Sequence, residues 1–177
     1  MRAVIILADG FEEIEAFTAI DVLRRAGVEV TVASLSSSIV ESSRKIRTMT
    51  DKRLSEIKVD DYDALILPGG PGYKNLANSQ AVLDLIKDFD KKKKVVAAIC
   101  AAPAVLAKAG VLETRIAAIY PGMENQIPKP RDAKVVVDGN IVTAKSPGTA
   151  MDFALKLAEI LAGKAAARKV KEDLVLE

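Results

Sequence analysis

Short apolar runs, each ending at a glycine- or proline-marked turn and followed by a stretch of helical character, recur along the chain. Ala3-Val4-Ile5-Ile6-Leu7, Ala64-Leu65-Ile66-Leu67 and Val95-Val96-Ala97-Ala98-Ile99 are near-continuous. Runs of that kind are the mark of strands buried on both faces of a parallel sheet. Val28-Glu29-Val30-Thr31-Val32-Ala33 alternates and is β-branched, so it also reads as a strand. The pattern therefore predicts an α/β fold, a flavodoxin-like three-layer sandwich with a mainly parallel sheet. Lys134–Val137 and Ile141–Thr143, joined across Asp138-Gly139-Asn140, predict a small β-hairpin attached to it.

The helical stretches are Glu12 to Ala26, Gln80 to Phe89, the segment after Cys100, a helix from Ser146 to about Leu161, and Ala165 to Val170. Ala3–Leu7 is expected to be central in the sheet. Ser34 to Ser43 reads as a Ser-rich connection, Arg44 to Met49 as a short edge strand and Thr114 to Ala118 as another short strand. With no repeat and no linker, residues 1–177 are expected to form one domain.

The chain has 26 basic and 24 acidic residues, a formal charge of +2, which gives no reason to expect nucleic acid or an anionic membrane as partner. No run approaches the roughly 20 apolar residues of a membrane span, and the chain enters a strand at once, so no leader is expected. A single cysteine allows no internal disulfide and suits a reducing cytoplasm. There is no histidine. That excludes Ser-His-Asp and Cys-His mechanisms within one chain, and His-containing zinc sites.

The one cysteine stands between a strand and a helix, in Ala97-Ala98-Ile99-Cys100-Ala101-Ala102-Pro103. Two readings compete. Cys100 is a small buried hydrophobe, or it is a nucleophile at a sharp strand-to-helix turn, at the carboxyl end of the sheet where α/β proteins place ligands. In the second reading the next helix's N-terminus favours a thiolate, so the turn that exposes Cys100 should also activate it, with a backbone φ above zero and a low pKa.

Glu12, Glu13 and Glu15 crowd a helix N-terminus, which acidic residues complement. Glu15 is also close in phase to Ala16 and Ala19. It either faces solvent or points inward, where desolvation would keep a proton on it. Pro68-Gly69-Gly70-Pro71-Gly72 is either a flexible turn or backbone whose N–H groups approach a reacting centre.

Ala8-Asp9-Gly10-Phe11-Glu12-Glu13-Ile14-Glu15, Leu67-Pro68-Gly69-Gly70, the Cys100 segment and Ser146-Pro147-Gly148-Thr149, in this order and spacing, resemble the ThiJ/PfpI family, its small bacterial deglycase-like branch closely. The resemblance covers nearly the whole chain. It implies a nucleophile elbow with Cys100 at its tip, Glu15 hydrogen-bonded to the sulfur, and an oxyanion site from the N–H groups of Gly70 and Ala101. It implies a pocket that includes Gly69, Tyr120, Pro147 and Arg44. Arg44 matches an arginine that in family dimers lies near the partner's pocket, and a homodimer or larger homo-oligomer is expected. Many members carry a histidine before the proline where this chain has Tyr120-Pro121. Tyr120 either narrows the pocket and offers a hydroxyl, or packs there.

The resemblance implies a cofactor-free, metal-free glyoxalase or deglycase acting on reactive carbonyls or glycated side chains. The alternatives are a redox-sensing stress protein or chaperone, and a cysteine peptidase, which the lack of histidine disfavours.

Overall fold

The structure, a computed structural model, describes residues 1–176. Its elements in chain order are β1 (Arg2–Leu7), α1 (Glu13–Arg25), β2 (Glu29–Ser34), β3 (Ile39–Glu41), β4 (Arg47–Met49), β5 (Lys52–Arg53), β6 (Ala64–Leu67), α2 (Tyr73–Ala77), α3 (Gln80–Lys91), β7 (Val95–Ile99), α4 (Pro103–Lys108), β8 (Val135–Asp138), β9 (Ile141–Ala144), α5 (Ala150–Ala162) and α6 (Lys164–Asp173). Seven strands form one sheet in the order β5-β2-β1-β6-β7-β9-β8. All neighbours are parallel except β8 and β9, the predicted hairpin. β1 is internal, between β2 and β6, as its apolar run required.

The continuous apolar strands are explained by two cores. Ala3, Ile5 and Leu7 of β1 face one side, with Ala16, Ile20 and Leu23 of α1, Phe153 and Leu157 of α5 and Val170 of α6. Val4 and Ile6 face the other, with Val82, Ile86 and Phe89 of α3, Leu106 of α4 and Leu76 of α2. Successive strand residues point to opposite faces, so both parities must be apolar. This is the flavodoxin-like three-layer sandwich expected.

Three local readings are corrected. Thr114–Ala118 is not a strand; only Ala117 bridges, to Pro130. The N–H of Ile116 donates to Asp138 Oδ2 and that of Ala118 to Thr143 Oγ1, so side chains of the β8–β9 hairpin take donors a ladder would need. Arg44–Met49 does not edge the main sheet: only Arg47–Met49 is extended, and it pairs antiparallel with Ile39–Glu41, which the serines around it had hidden. Arg44 and Lys45 are that hairpin's turn, with Lys45 at φ 70°. Finally, Pro147–Thr149 is a single 3₁₀ turn, and α5 begins at Ala150.

Candidate active site

β1, β6 and β7 are neighbours, so the loops leaving their carboxyl ends meet above one edge of the sheet. Each brings one part of the site.

The β7 loop brings Cys100 at φ 63°, the left-handed region that costs a non-glycine residue about 1–3 kcal/mol. The strained elbow expected from the sequence is present. It is locked on both sides: the Cys100 N–H donates to the carbonyl of Ala144 at the end of β9, and its carbonyl accepts from Tyr120 N–H, each at 2.9 Å. Ala101 and Ala102 then lead into α4, where Pro103 sits at the first turn and needs no N–H partner.

The β1 loop brings Glu15. The carboxylate of Glu12 caps α1 by accepting from Glu15 N–H at 2.8 Å. That fixes the first turn so that Glu15 points inward, 1% exposed. The inward reading is therefore the correct one. Its Oε2 accepts from Gly69 N–H at 2.6 Å, while Oε1 is buried with no hydrogen-bond partner among the described residues.

The β6 loop brings Gly69 and Gly70. A Cβ on Gly69 would lie 2.8 Å from Cys100 Cβ and 2.9 Å from Glu15 Oε2. Gly70 has φ +80°, and a Cβ there would lie 2.6 Å from Glu12 N and from Gly10 O. Backbone bonds stitch the two loops: Glu12 N–H to Gly69 O at 3.0 Å and Gly72 N–H to Gly10 O at 2.9 Å. Glycine is required because backbone lies against backbone.

Burial pushes the Glu15 carboxyl up to about 7, against the Gly69 N–H and its contact with Cys100, which hold it down. The low-pKa thiol expected from the helix N-terminus and a protonated Glu15 is opposed by the surroundings. Cys100 is only 8% exposed, and burial first, then the charge of the Glu15 carboxylate, push it up to about 12. The neighbouring N–H groups of Gly70 and Ala101 pull it the other way. The two acids share one neighbourhood, so they titrate as a pair. A thiolate is favoured only while Glu15 holds the proton.

The remaining predicted residues lie further out. Arg44 and Pro147 line a cleft of about 640 Å³ with Gly10, Glu12 and Pro71. Cys100, Gly69 and Tyr120 are not among its lining residues. The Tyr120 side chain is 44% exposed, so it does not pack inward; its backbone N–H is what serves the elbow. Glu12 was missed as a structural member of the site, although its place just before the first apolar helical position is the signal for a cap.

A parallel sheet covered on both faces, with a thiol on a strained strand-to-helix turn beside a buried carboxyl, defines a flavodoxin-like protein with a cysteine elbow. The chain belongs to the DJ-1/PfpI family, whose sequence profile matches residues 1–160. It is 43% identical to Protein dj-1beta of Drosophila melanogaster over 180 residues, 98% of this chain and 96% of that one. It is 34% identical to the glutathione-independent glyoxalase DJR-1.2 of Caenorhabditis elegans over 168 residues, 93% of this chain and 90% of that one. The crystal structure of the Drosophila DJ-1beta superposes with a TM-score of 0.95 at 42% identity, covering 99% of this chain and 98% of the other. Oxidized DJ-1 of Toxoplasma gondii gives a TM-score of 0.95 at 39% identity, with the same coverage.

Proposed function

We propose that this protein is a cofactor-free enzyme that converts α-oxoaldehydes such as methylglyoxal to 2-hydroxy acids, or releases them from glycated side chains. The observation that carries the reading is the meeting of Cys100, the Glu15 carboxyl and the Gly70 and Ala101 N–H groups at one point. The glyoxalase name of the Caenorhabditis relative supports it.

The chemistry runs on one shared proton. The Glu15 carboxylate takes the Cys100 S–H proton as the sulfur attacks the aldehyde carbon. The carbonyl oxygen becomes an oxyanion of the hemithioacetal, held by the N–H groups of Gly70 and Ala101. Glu15 gives that S–H proton to the oxyanion, forming the hemithioacetal hydroxyl, and is a carboxylate again. It then takes the proton of the former aldehyde carbon and delivers it to the adjacent carbonyl carbon, while the hydroxyl proton passes to that carbon's oxygen, leaving the thioester of a 2-hydroxy acid. Water cleaves the thioester, releasing the acid and restoring the thiol. The net change is addition of one water, with no external oxidant or reductant.

The test is turnover of methylglyoxal without glutathione, by wild type and by Cys100→Ser. Hydroxy-acid formation by wild type and its loss in the variant are expected; equal rates overturn the proposal. A second reading, a thiol that senses oxidation, is favoured by the oxidized state of the Toxoplasma relative.

The functional unit in this proposal is a homodimer. Ile14 on α1 is 55% exposed, and Ile39 and Met49, directly paired across the β3–β4 hairpin, are 51% and 80% exposed. Ser43 Oγ, beside that hairpin's turn, donates to Glu13 Oε2 of α1 at 3.0 Å, so the helix start and the hairpin turn adjoin. A dimeric mass by light scattering is expected, falling to the monomer in Met49→Asp; a monomeric wild type sinks this assignment.

A further inference from the structure

A second cavity, of about 320 Å³, opens at the carboxyl ends of β1 and β2. It lies beyond Leu7 and Ala8, on the far side of the Asp9-Gly10 turn from Pro71 and Arg44. The chain goes from β1 to β2 on one side and, after β5, enters β6 on the other, so the winding reverses between β1 and β6, and segments that follow both strands line the cavity. Ends of strands at such a reversal are where open α/β sheets hold ligands. The volume suits a small single-ring molecule.

The chemistry of the wall is unlike that of the thiol site. One side is the Ser34–Ser37 loop, pinned because the buried Ser34 hydroxyl donates to Ser37 O and Thr50 Oγ1 donates to the same carbonyl at 3.4 Å. The opposite side is the α2–α3 junction, with Asn75, Asn78 and Ser79. Most of these groups have one polar position engaged and another unused among the described residues. Asp9 Oδ1 accepts from Glu41 N–H at 2.9 Å, leaving Oδ2. Asn75 Nδ2 donates to Asp9 O at 3.1 Å, leaving Oδ1. Asn78 Oδ1 accepts from Lys108 at 3.4 Å, leaving Nδ2. Ser79 Oγ accepts from Val82 N–H, leaving its proton. Ser36 Oγ is unused among the described residues. Leu35 and Val40 add an apolar strip.

We infer that this cavity binds a small neutral polyol, such as the ring of a monosaccharide. Hydroxyl groups both donate and accept, and the wall offers acceptors at Asp9 and Asn75 and donors at Asn78 and Ser79. The apolar strip suits the C–H face of a sugar ring. The Asp9 carboxylate opposes an inorganic anion, and a single carboxylate is too few for a divalent cation.

The probe is methyl glucoside, whose blocked anomeric carbon cannot react with Cys100, titrated into ¹⁵N-labelled protein. Saturable shifts confined to the amides of Ser36, Ser37, Asn75, Asn78 and Ser79 are expected. Asn78→Ala should weaken binding about three- to tenfold, the worth of one hydrogen bond. Ser36→Phe, an exposed position that tolerates the ring without repacking a core, should abolish it. Cys100→Ala should bind as wild type does, which separates this site from the proposed chemistry. Failure to saturate, shifts that survive Ser36→Phe unchanged, or stronger shifts with inorganic phosphate or Mg²⁺ at the same amides would each overturn the assignment.

Discussion

The Gly69 N–H donates to Glu15 Oε2 at 2.6 Å, joining residues 54 apart in the sequence. One bond thereby ties the β1 loop to the β6 loop at the point where both face Cys100. It also consumes one carboxyl oxygen, while Oε1 is buried with no hydrogen-bond partner among the described residues.

Gly69→Ala tests how closely those three groups are packed. The added methyl would sit 2.8 Å from Cys100 Cβ, 2.9 Å from Glu15 Oε2 and 2.9 Å from Ile99 O. Cys100 Cβ and Ile99 O cannot swing aside as the Glu15 carboxyl could, so backbone must move. Overpacking of this kind costs about 1–3 kcal/mol. Thermal denaturation should show that loss, together with a fall in methylglyoxal turnover of more than tenfold. An unchanged melting temperature and rate would mean that the loops give way easily and the site is not tightly built.

The buried carboxyl makes stability depend on pH. Glu15 binds its proton more tightly in the native state, at about 7, than in the unfolded chain, near 4.5. Folding therefore favours the protonated form. Its contribution is full below about pH 4.5 and is lost as pH rises through about 7, on the order of 3 kcal/mol in all. Glu15→Gln cannot ionise and should lack this slope. The difference in unfolding free energy between variant and wild type, from urea melts at pH 4.5 and pH 8, should move toward the variant by about that amount. A constant difference across the window would show that Glu15 is not a proton-holding group.

The elbow was legible in the sequence because its parts are local: a β-branched run, small residues, then Pro103. Both cores were legible too, since strands buried on two faces must be apolar at every position. What was not legible depends on partners distant in the chain. Helical phase left Glu15 open between two directions, and the Glu12 cap with the Gly69 N–H decided it. Thr114–Ala118 looks extended, but Asp138 and Thr143 take its donors. β3 stands among serines that mark loops, and only its pairing with β4 makes it a strand. The acidity expected of Cys100 meets opposition of a similar kind. The helix N-terminus is visible in the sequence; the burial and the neighbouring charge that outweigh it are not.

Glu15→Gln should separate reactivity of the thiol from turnover. In the proposed reaction the pair must begin with one proton, on sulfur, and with Glu15 ionised to accept it. The ionised fraction rises through about pH 7, so wild-type kcat/KM should rise with pH and level off above it. Gln keeps the size of the side chain and a carbonyl oxygen for the Gly69 N–H. It removes the negative charge that helps hold the Cys100 thiol up, so alkylation by iodoacetamide should begin at lower pH than in wild type. It cannot take up the S–H proton or carry a proton between the two substrate carbons. Turnover should therefore fall by about 10²–10⁴, the usual worth of general acid–base help, and the residual rate should lose its rise near pH 7. Tyr120→Phe should cost much less, because its exposed side chain has no proton to move in any step and its backbone N–H is retained. A Glu15→Gln enzyme that keeps both rate and pH profile would remove the carboxyl from the chemistry. One that loses alkylation as well as turnover would mean that the substitution has displaced the elbow instead.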